Sequence, residues 1–244
     1  KTVNLLEGRN IYSETQHASH SESGFLNHTD KDLTFKIINN TGSATSLMGK
    51  NIAVLSQDDL NSRGTVINAT AGNTVLKSTN GVVNAGALQN ITTIDQTSKE
   101  TKSGLFYGGG LSIRLGNDST DTTNHTVITQ NQKGTITAPD GNVLLDGAKG
   151  VNRAGVDVFT PKGALVLNGH GHGINEAQVN DTVQTTTHTN TKDTGLTLGI
   201  TSGKLDIVSD SITTLSGLTG IGQPGSNAQN NLGSFGTPTA LGAD

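Results

Sequence analysis

The sequence predicts an all-β protein and, within that class, a right-handed parallel β-helix from which antiparallel hairpins project. Apolar residues occur in short alternating runs flanked by Gly, Asn, Asp or Ser, and this pattern is typical of short strands between tight turns. No window of 11 or more residues shows a convincing 3.6-residue period, and Gly, Asn and Thr weaken any helix. A third observation, a recurring spacing of 21–22 residues, points to the β-helix.

Each apolar run justifies one predicted strand or part of one. In chain order the runs are Leu33, Phe35, Ile37; Ile52, Val54; Val66, Ile67; Val75, Leu76; Leu111, Ile113, Leu115; Ile136; Val143, Leu144, Leu145; Val156, Val158; Leu165, Val166, Leu167; Leu196, Leu198, Ile200; and Leu205, Ile207, Ile212.

The recurring spacing is clearest in residues 134–169. Four predicted strands each begin directly after a glycine, at Gly134, Gly141, Gly155 and Gly163. The first and third of these glycines are 21 residues apart and the second and fourth 22 apart, which predicts two strands per turn. A chain that returns at this interval places equivalent residues of successive turns above one another, on strands about 4.8 Å apart. Residues 49–88 repeat the pattern less regularly.

Three polar runs interrupt this pattern. Each is rich in polar residues, then reaches a glycine followed by an apolar residue and an alternating strand. The glycines, Gly24, Gly104 and Gly195, lie 80 and 91 residues apart. We expect an antiparallel hairpin from each run, projecting from or flanking the helix. The predicted excursions lie near 13–37, 95–116 and 180–200.

The domain prediction is a β-helical repeat region over 1–214 and a tail over 215–244. The tail is rich in Gly, Asn and Ser and nearly uncharged, which favours a linker over a segment that covers a sheet edge. The chain begins at Lys1 rather than Met, so we expect a piece of something longer or a processed product.

Composition excludes several classes. Only 31% of the residues are hydrophobic and 3% aromatic, so a large oily core is not expected. The net charge of −4 and the lack of a basic stripe argue against a nucleic-acid partner. The absence of cysteine excludes disulfides, thiolate catalysis and Cys-ligated zinc. It suits a chain threaded unfolded through a pore, although a biased composition explains it equally well.

One segment carries a family resemblance. Residues 97–116, TSKETKSGLFYGGGLSIRLG, with the following GTITAPDGNVLLDG and GVDVFTPKGALVLNG, resemble the filamentous-haemagglutinin repeats of two-partner-secretion exoproteins. The likeness is greatest to the second repeat class of contact-dependent growth inhibition effectors, the CdiA proteins. It covers about 1–214. Gly24 and Gly195 are not followed by the glycine triplet, so the first and third runs depart from this repeat pattern.

The resemblance implies a secreted fibre on a Gram-negative cell surface, associated with the outer membrane. Its implied partners are the outer-membrane two-partner-secretion transporter, a receptor or the outer membrane of a target or host cell, and neighbouring repeats or copies end to end. The implied function is a stalk in an adhesin or inhibition effector, helping a toxin across a target outer membrane in the second case. We expect no enzyme activity, no cofactor and no nucleic-acid partner.

The most specific part of the resemblance also contains the candidate contact residues. Apolar residues alternate in this segment, so it could pair with a membrane or with barrel strands, or its apolar side chains could simply cover the core of the β-helix. They are Ser103, Gly104, Leu105, Phe106, Tyr107, Leu111, Ile113 and Leu115.

Other constellations favour structural interpretations. His170-Gly171-His172 could contribute to a zinc site but lacks a fixed third ligand, so loop histidines are favoured. Asn117, Asp118 and Asp121 could bind calcium, yet the calcium nonapeptide repeat is absent. Asp58-Asp59 is interpreted as a corner turn. The alternative functions are a self-assembling filament subunit, since a β-helix has open ends, and, more remotely, a carbohydrate-active β-helix.

Overall fold

The fold is that of a computed structural model, which describes residues 1–107, 112–201 and 204–222, with only the backbone course given from residue 200 onward. The strands in this part of the chain are β1 (Val3–Leu5), β2 (Gly8–Ser23), β3 (Asn27–Ser43), β4 (Ser46–Gly49), β5 (Ile52–Ser56), β6 (Leu60–Arg63), β7 (Val66–Ala69), β8 (Thr74–Ser78), β9 (Val83–Gly86), β10 (Leu88–Tyr107), β11 (Ser112–Gln132), β12 (Gly134–Thr137), β13 (Val143–Gly147), β14 (Val151–Ala154), β15 (Val156–Phe159), β16 (Leu165–Asn168), β17 (Ile174–Ala177), β18 (Thr182–Thr201) and β19 (Lys204–Gly222).

The all-β prediction is confirmed. The described residues contain strands and no helix, and hence no helix long and apolar enough to cross a membrane. Three sheets are parallel, and a fourth contains the long strands. We call the parallel sheets sheet 1 (β1-β6-β9-β14-β17), sheet 2 (β4-β7-β12-β15) and sheet 3 (β5-β8-β13-β16), and the fourth the hairpin sheet (β19-β18-β11-β10-β3-β2).

The short strands visit the three parallel sheets in a fixed cycle. After each sheet 1 strand comes one strand of sheet 2, then one of sheet 3, and then the next of sheet 1. Leu60 pairs with Val83, and Val143 pairs with Leu165, so the return takes 22–23 residues in these pairs. The cycle therefore contains three strands. The sequence predicted only two, because the sheet 1 strands are short and carry few apolar residues.

Stacked identical positions form the core of the first compact unit, which comprises Lys1–Tyr12, Asn39–Thr92 and Thr129–Thr182. Sheet 2 stacks Ile67 on Ile136, and sheet 3 stacks Leu76 on Leu145; all four are at most 2% exposed. Sheet 1 contributes a third buried column, whose members are Leu60, Val83 and Val151. Small and β-branched side chains are enough to fill this core, because each strand of a sheet points only one or two side chains into it.

An asparagine ladder runs along sheet 1. Each side-chain amide donates to the carbonyl oxygen of the asparagine on the previous strand, at 2.7–2.8 Å. Parallel in-register stacking brings identical amides to the spacing that such ladders need. The members are Asn4, Asn61, Asn84, Asn152 and Asn175.

Three hairpins follow strands of sheet 1, and the first two of them are each followed by a strand of sheet 2. They follow β1, β9 and β17, whereas β6 and β14 lead directly into sheet 2. In each hairpin we call the first strand outgoing (β2, β10, β18) and the second strand return (β3, β11, β19). The hairpins extend further than the predicted excursions because the apolar alternation that located an excursion ends well before the strand does, as at Leu115 in β11. β19 also continues to Gly222, past residue 215, where the sequence placed the start of the tail, and residues 223–244 lie outside the described residues.

Candidate functional site: the hairpin sheet

Hydrogen bonds fix how the first two hairpins pair. The amide of Leu105 on β10 donates to the carbonyl oxygen of Leu26, just before β3, at 2.8 Å. Five residues further along, Lys31 Nζ lies 3.4 Å from Glu100 Oε2. The residue numbers decrease on β10 as they increase on β3, so the two strands are antiparallel and keep one register.

The same analysis fixes the other pairs. Within the second hairpin, Asp95 Oδ1 lies 2.5 Å from His125 Nδ1. Between the second and third hairpins, the hydroxyls of Thr126 and Thr185 lie 3.2 Å apart, and the Thr194 hydroxyl donates to the Asn117 carbonyl at 3.0 Å. The two contacts between the second and third hairpins therefore follow one antiparallel register.

These registers bring apolar side chains together near the turns. Leu105 is opposite Leu115, which is opposite Leu196, and Tyr107, Ile113 and Leu198 form the next row. Residues directly opposite in antiparallel strands share a face, and so do residues two apart on one strand. We call this set the apolar strip: Leu26, Leu105, Tyr107, Ile113, Leu115, Leu196 and Leu198.

Apart from the half-buried Leu105, the apolar strip is exposed within the second compact unit, which comprises residues 13–38, 93–128 and those from Val183 on. Tyr107 is 78% exposed, Leu115 58% and Leu26 55%. Phe25, in the turn of the first hairpin, is 98% exposed. Contiguous exposed apolar residues of this kind mark a surface suited to contact another apolar surface.

The opposite face of the same strands is charged. Arg114 lies over the Phe106 ring, with 5.9 Å from the guanidinium carbon to the ring centroid, and its NH2 is 2.7 Å from Asp118 Oδ1. Glu100 pairs with Lys102 at 2.7 Å; the hydrogen bond from Lys102 is the main cause that lowers the pKa of Glu100 and raises the pKa of Lys102. The turn half of the hairpin sheet is therefore amphipathic.

Two of the glycines that mark the hairpins permit close contact between strands. Gly104 has φ +130°, and a Cβ built on it would lie 2.2 Å from the Leu26 carbonyl oxygen. A Cβ on Gly195 would lie 2.9 Å from the Leu115 carbonyl oxygen. Only glycine allows the backbones to approach this closely.

The structure separates the predicted contact residues into three groups. Leu105, Tyr107, Ile113 and Leu115 lie on the apolar strip, and Ser103 lies on the same face further from the turn. Phe106 and Gly104 do not belong to the strip. The Phe106 ring packs under Arg114, and Gly104 allows the close backbone contact with Leu26. Leu111 lies outside the described residues. Their role in partner contact stays a prediction.

Sequence reasoning missed three members of the strip, Leu26, Leu196 and Leu198. The signal that could have found them was present, because Gly24, Gly104 and Gly195 occupy equivalent positions and each is followed by apolar residues. Aligning the three runs on these glycines predicts that the apolar residues lie side by side.

The histidine pair considered as a zinc site has a different environment. His170 Nε2 lies 2.6 Å from Asp146 Oδ1, a carboxylate that also accepts from Asn168 at 2.9 Å and pairs with Lys77 at 2.8 Å. Burial raises the pKa of Asp146, but the hydrogen bonds and charges of Lys77 and His170 outweigh it and lower the pKa below its ordinary value. Among the described residues no three His, Cys, Asp or Glu side chains form a group that could hold a metal.

The acidic candidates also have protein partners. Asp59 Oδ1 accepts the Val82 amide at 2.9 Å, and Asp58 Oδ2 lies 2.8 Å from the amine of Lys1. Asp118, from the candidate calcium segment, pairs with Arg114.

The Asp146 cluster predicts a pH-dependent stability. Because folding lowers its pKa, Asp146 stabilises the folded state fully above its ordinary pKa of 3.8, and this contribution is lost as the pH falls through the lowered value. Asp146→Asn should cost about 1–3 kcal/mol of unfolding free energy at pH 7, and less at pH 3. Urea unfolding at both pH values checks this. Asp140→Asn, at an exposed pair with Lys162, is the control and should cost at most about 1 kcal/mol; equal losses for the two variants would contradict the expectation.

Three relatives match this chain over most of its length. The tRNA nuclease CdiA-2 of Burkholderia pseudomallei (strain 1026b) is 28% identical over 220 residues, which is 86% of this chain and 6% of the relative. The chain is related to CdiA proteins. Two proteins named tRNA nuclease CdiA, also from Burkholderia pseudomallei, are each 28% identical over 202 residues, 79% of this chain and 15% and 14% of the relatives. No family model and no solved structure matches the chain.

These names correct two expectations. We predicted no enzyme activity and no nucleic-acid partner, whereas the CdiA relatives are named tRNA nucleases, which points to a nuclease activity. The predictions relied on the charge and motifs of 244 residues. The chain spans only 6–15% of the length of these relatives, so its composition was a poor guide to a whole protein of this kind.

Proposed function

We propose that this chain is a filamentous-haemagglutinin-type repeat segment of a secreted contact-dependent inhibition effector, displayed on a Gram-negative cell surface. The observation that carries the proposal is the 28% identity to CdiA proteins over 79–86% of the chain. The cycle of three parallel sheets adds support. In this proposal the nuclease activity named for the relatives belongs to the whole protein, and the chain carries it towards the target cell.

The three parallel sheets support a right-handed β-helix as the form of this segment. Successive strands of each sheet are parallel and in register, and the chain passes through the sheets in an unchanging order. A coil of three faces satisfies both facts. The asparagine ladder and the stacked Leu and Ile columns are the regularities that such a coil imposes.

The apolar strip is the part of the segment proposed to contact the target. An exposed sheet region with apolar Tyr and Leu on one face and paired charges on the other suits the boundary between water and lipid, where aromatic rings are favoured. We propose the outer membrane of the target cell as the surface it meets. Export through the two-partner-secretion transporter is part of the same proposal.

A competition assay between an inhibitor strain and a target strain tests this function. The full-length protein would carry Ile113→Asp and Leu115→Asp together, which place two charges on the apolar strip. We expect inhibition and target-cell binding to fall at least about 10-fold, since burying each charge at an apolar surface costs more than 1 kcal/mol.

The control uses the charged face of the same hairpin. Lys102→Gln changes an exposed residue at a similar distance from the turn and should leave inhibition unchanged. Surface display is measured by antibody labelling of intact cells for every variant. Full inhibition by a displayed Ile113→Asp/Leu115→Asp protein would rule out the proposed contact.

A further inference from the structure

A groove runs along the outer face of sheet 1, entirely within the first compact unit. Leu60 and Val83 are buried in the core, so Asn61 and Asn84, the next residues on their strands, point to the opposite side of the sheet. The groove has a volume of about 500 Å³ and is lined by one asparagine from each of β1, β6, β9 and β14. β6, β9 and β14 each have a neighbouring strand on both sides, so the groove lies within the sheet and not at its end.

The groove exists because the side chains beside the asparagine ladder are small. Arg63, Gly86 and Ala154 lie opposite one another on β6, β9 and β14, two residues beyond the asparagines and on the same face. Gly86 and Ala154 leave the space open, and Arg63, with Leu6 just after β1, bounds the end nearer β1. A Cβ on Gly86 would meet only the Ser62 carbonyl oxygen, at 3.9 Å, so this position has room for a larger side chain.

The asparagine ladder leaves hydrogen-bonding atoms unused along the groove. An asparagine side chain has two N–H donors and a carbonyl oxygen that can accept two hydrogen bonds. Asn61, Asn84 and Asn152 each donate once to the previous rung and accept once from the next. Within the part of the chain that the structure describes, one N–H and one acceptor position therefore remain on each of them. Successive rungs lie about 4.8 Å apart.

The charged residues at the end of the groove have an excess of positive charge. Glu7 Oε1 accepts two hydrogen bonds from Arg9, at 2.9 and 2.5 Å, and lies 3.5 Å from Arg63 NH1. The Glu7 side chain is 4% exposed and the Arg63 side chain 54% exposed. One buried carboxylate thus pairs with two guanidinium groups, and the more exposed of these lines the groove. A carboxylate of a ligand is the group that such a guanidinium binds best.

We propose that this groove binds a linear polysaccharide of uronic acids, with sugar hydroxyls on the asparagine ladder and a carboxylate on Arg63. A hydroxyl both donates and accepts, so it can use the N–H and the carbonyl oxygen that each rung offers. The four rungs span about 14 Å, enough for a short extended stretch of sugars. An extended acidic peptide fits less well, because its groups that face one side recur about every 6.6 Å and lose register with the rungs.

The site is built for binding and not for cleavage. Glycosidases use a pair of carboxyl groups on either side of the scissile bond. Among the described residues that line the groove there is no Asp or Glu. The polysaccharide should therefore bind and leave the groove intact.

Titration of the chain with trigalacturonate, three linked uronic acids, tests the proposal. The side-chain amide signals of Asn61, Asn84 and Asn152 in ¹H–¹⁵N NMR spectra report binding at the ladder itself, and we expect them to shift. Gly86→Leu places a side chain in the groove and should abolish the shifts. Arg63→Gln removes the charge and should weaken binding about 10- to 100-fold, the contribution of a hydrogen bond to a charged group. Circular dichroism checks that each variant keeps the fold.

A matched variant and two comparison ligands control the test. Lys162→Gln makes the same change of charge at an exposed pair with Asp140, outside the groove, and should leave the affinity unchanged. Triglutamate, an acidic peptide, and cellotriose, a neutral trisaccharide, should each bind at least about 10-fold more weakly than trigalacturonate.

Three results would overturn the proposal. Triglutamate that binds as tightly as trigalacturonate would identify an acidic peptide as the ligand. Cellotriose that binds equally well would remove the role of the carboxylate and Arg63. Asparagine signals that stay unchanged at millimolar trigalacturonate would show that the groove binds no such chain. None of these outcomes bears on the proposed inhibition function, which is tested at the apolar strip.

Discussion

Replacing Gly104 with alanine is expected to separate the second hairpin from the first near their turns. Gly104 has φ +130°, and its added Cβ would lie 2.2 Å from the Leu26 carbonyl oxygen and 2.6 Å from Asn27 Cα. Neither backbone atom can move without breaking the bond from the Leu105 amide to Leu26. The backbone strain alone costs about 1–3 kcal/mol. Amide exchange at Leu105 should therefore become about 5- to 150-fold faster.

Gly8→Ala is the matched control. A Cβ on Gly8 meets no atom within 4 Å, so this variant should keep the exchange rate of Leu105 unchanged. Hydrogen exchange followed by mass spectrometry resolves the two hairpins from the parallel sheets. An unchanged rate in Gly104→Ala would mean that the hairpins do not pair at this position. Since Leu105 and Leu26 belong to the apolar strip, the variant should also disturb that surface.

Residues 134–169 show why part of the parallel architecture could be predicted from the sequence. Ile136 and Val158 lie opposite each other in adjacent strands, as the glycine spacing indicated. The third strand of each cycle was missed because β14 reads Val-Asn-Arg-Ala, with one strongly apolar residue. A different signal was available, since an apolar residue followed by Asn recurs in every strand of sheet 1, from Val3-Asn4 to Ile174-Asn175.

The candidate site was predicted in part for a related reason. The apolar alternation in the sequence predicted both Tyr107 and Leu115 as contact residues, and the register of β10 with β11 places the two side chains near each other. The position of Phe106 could not be predicted, because it depends on the cation–π contact with Arg114 of the neighbouring strand. Nor does a single strand reveal that Leu196 lies opposite Leu115. Pairing between hairpins depends on contacts about 80 residues apart in sequence, such as those of Gly104 with Leu26.

The placement of the hairpins explains how one chain combines two kinds of sheet. One sheet 1 strand without a hairpin separates successive strands that carry one, and every hairpin contributes two long strands to the hairpin sheet. Two passes through the three parallel sheets, at 22–23 residues each, and the two strands of one hairpin together account for the 80- and 91-residue spacing of the three glycines.

Leu145→Ala is expected to have the largest effect in the parallel sheets. Leu145 is fully buried and lies opposite Leu76 on one side and Leu167 on the other. Truncation leaves a cavity that stacked strands cannot close without losing their register, so the free energy of unfolding should fall by about 2–5 kcal/mol. Leu144→Ala removes the same number of atoms from the adjacent, half-exposed residue and should cost about 1 kcal/mol or less.

Denaturant unfolding followed by circular dichroism measures the difference between the two variants, and hydrogen exchange locates it. In a β-helix each turn contacts only its neighbours, so the loss of protection should centre on β8, β13 and β16 and weaken with each further turn. In a globular core of shared contacts it would spread evenly over sheets 1, 2 and 3. An even loss of exchange protection over the three sheets would contradict the β-helix proposed for this segment. So would an equal loss of unfolding free energy for Leu145→Ala and Leu144→Ala, because both results require a core that is not built turn by turn.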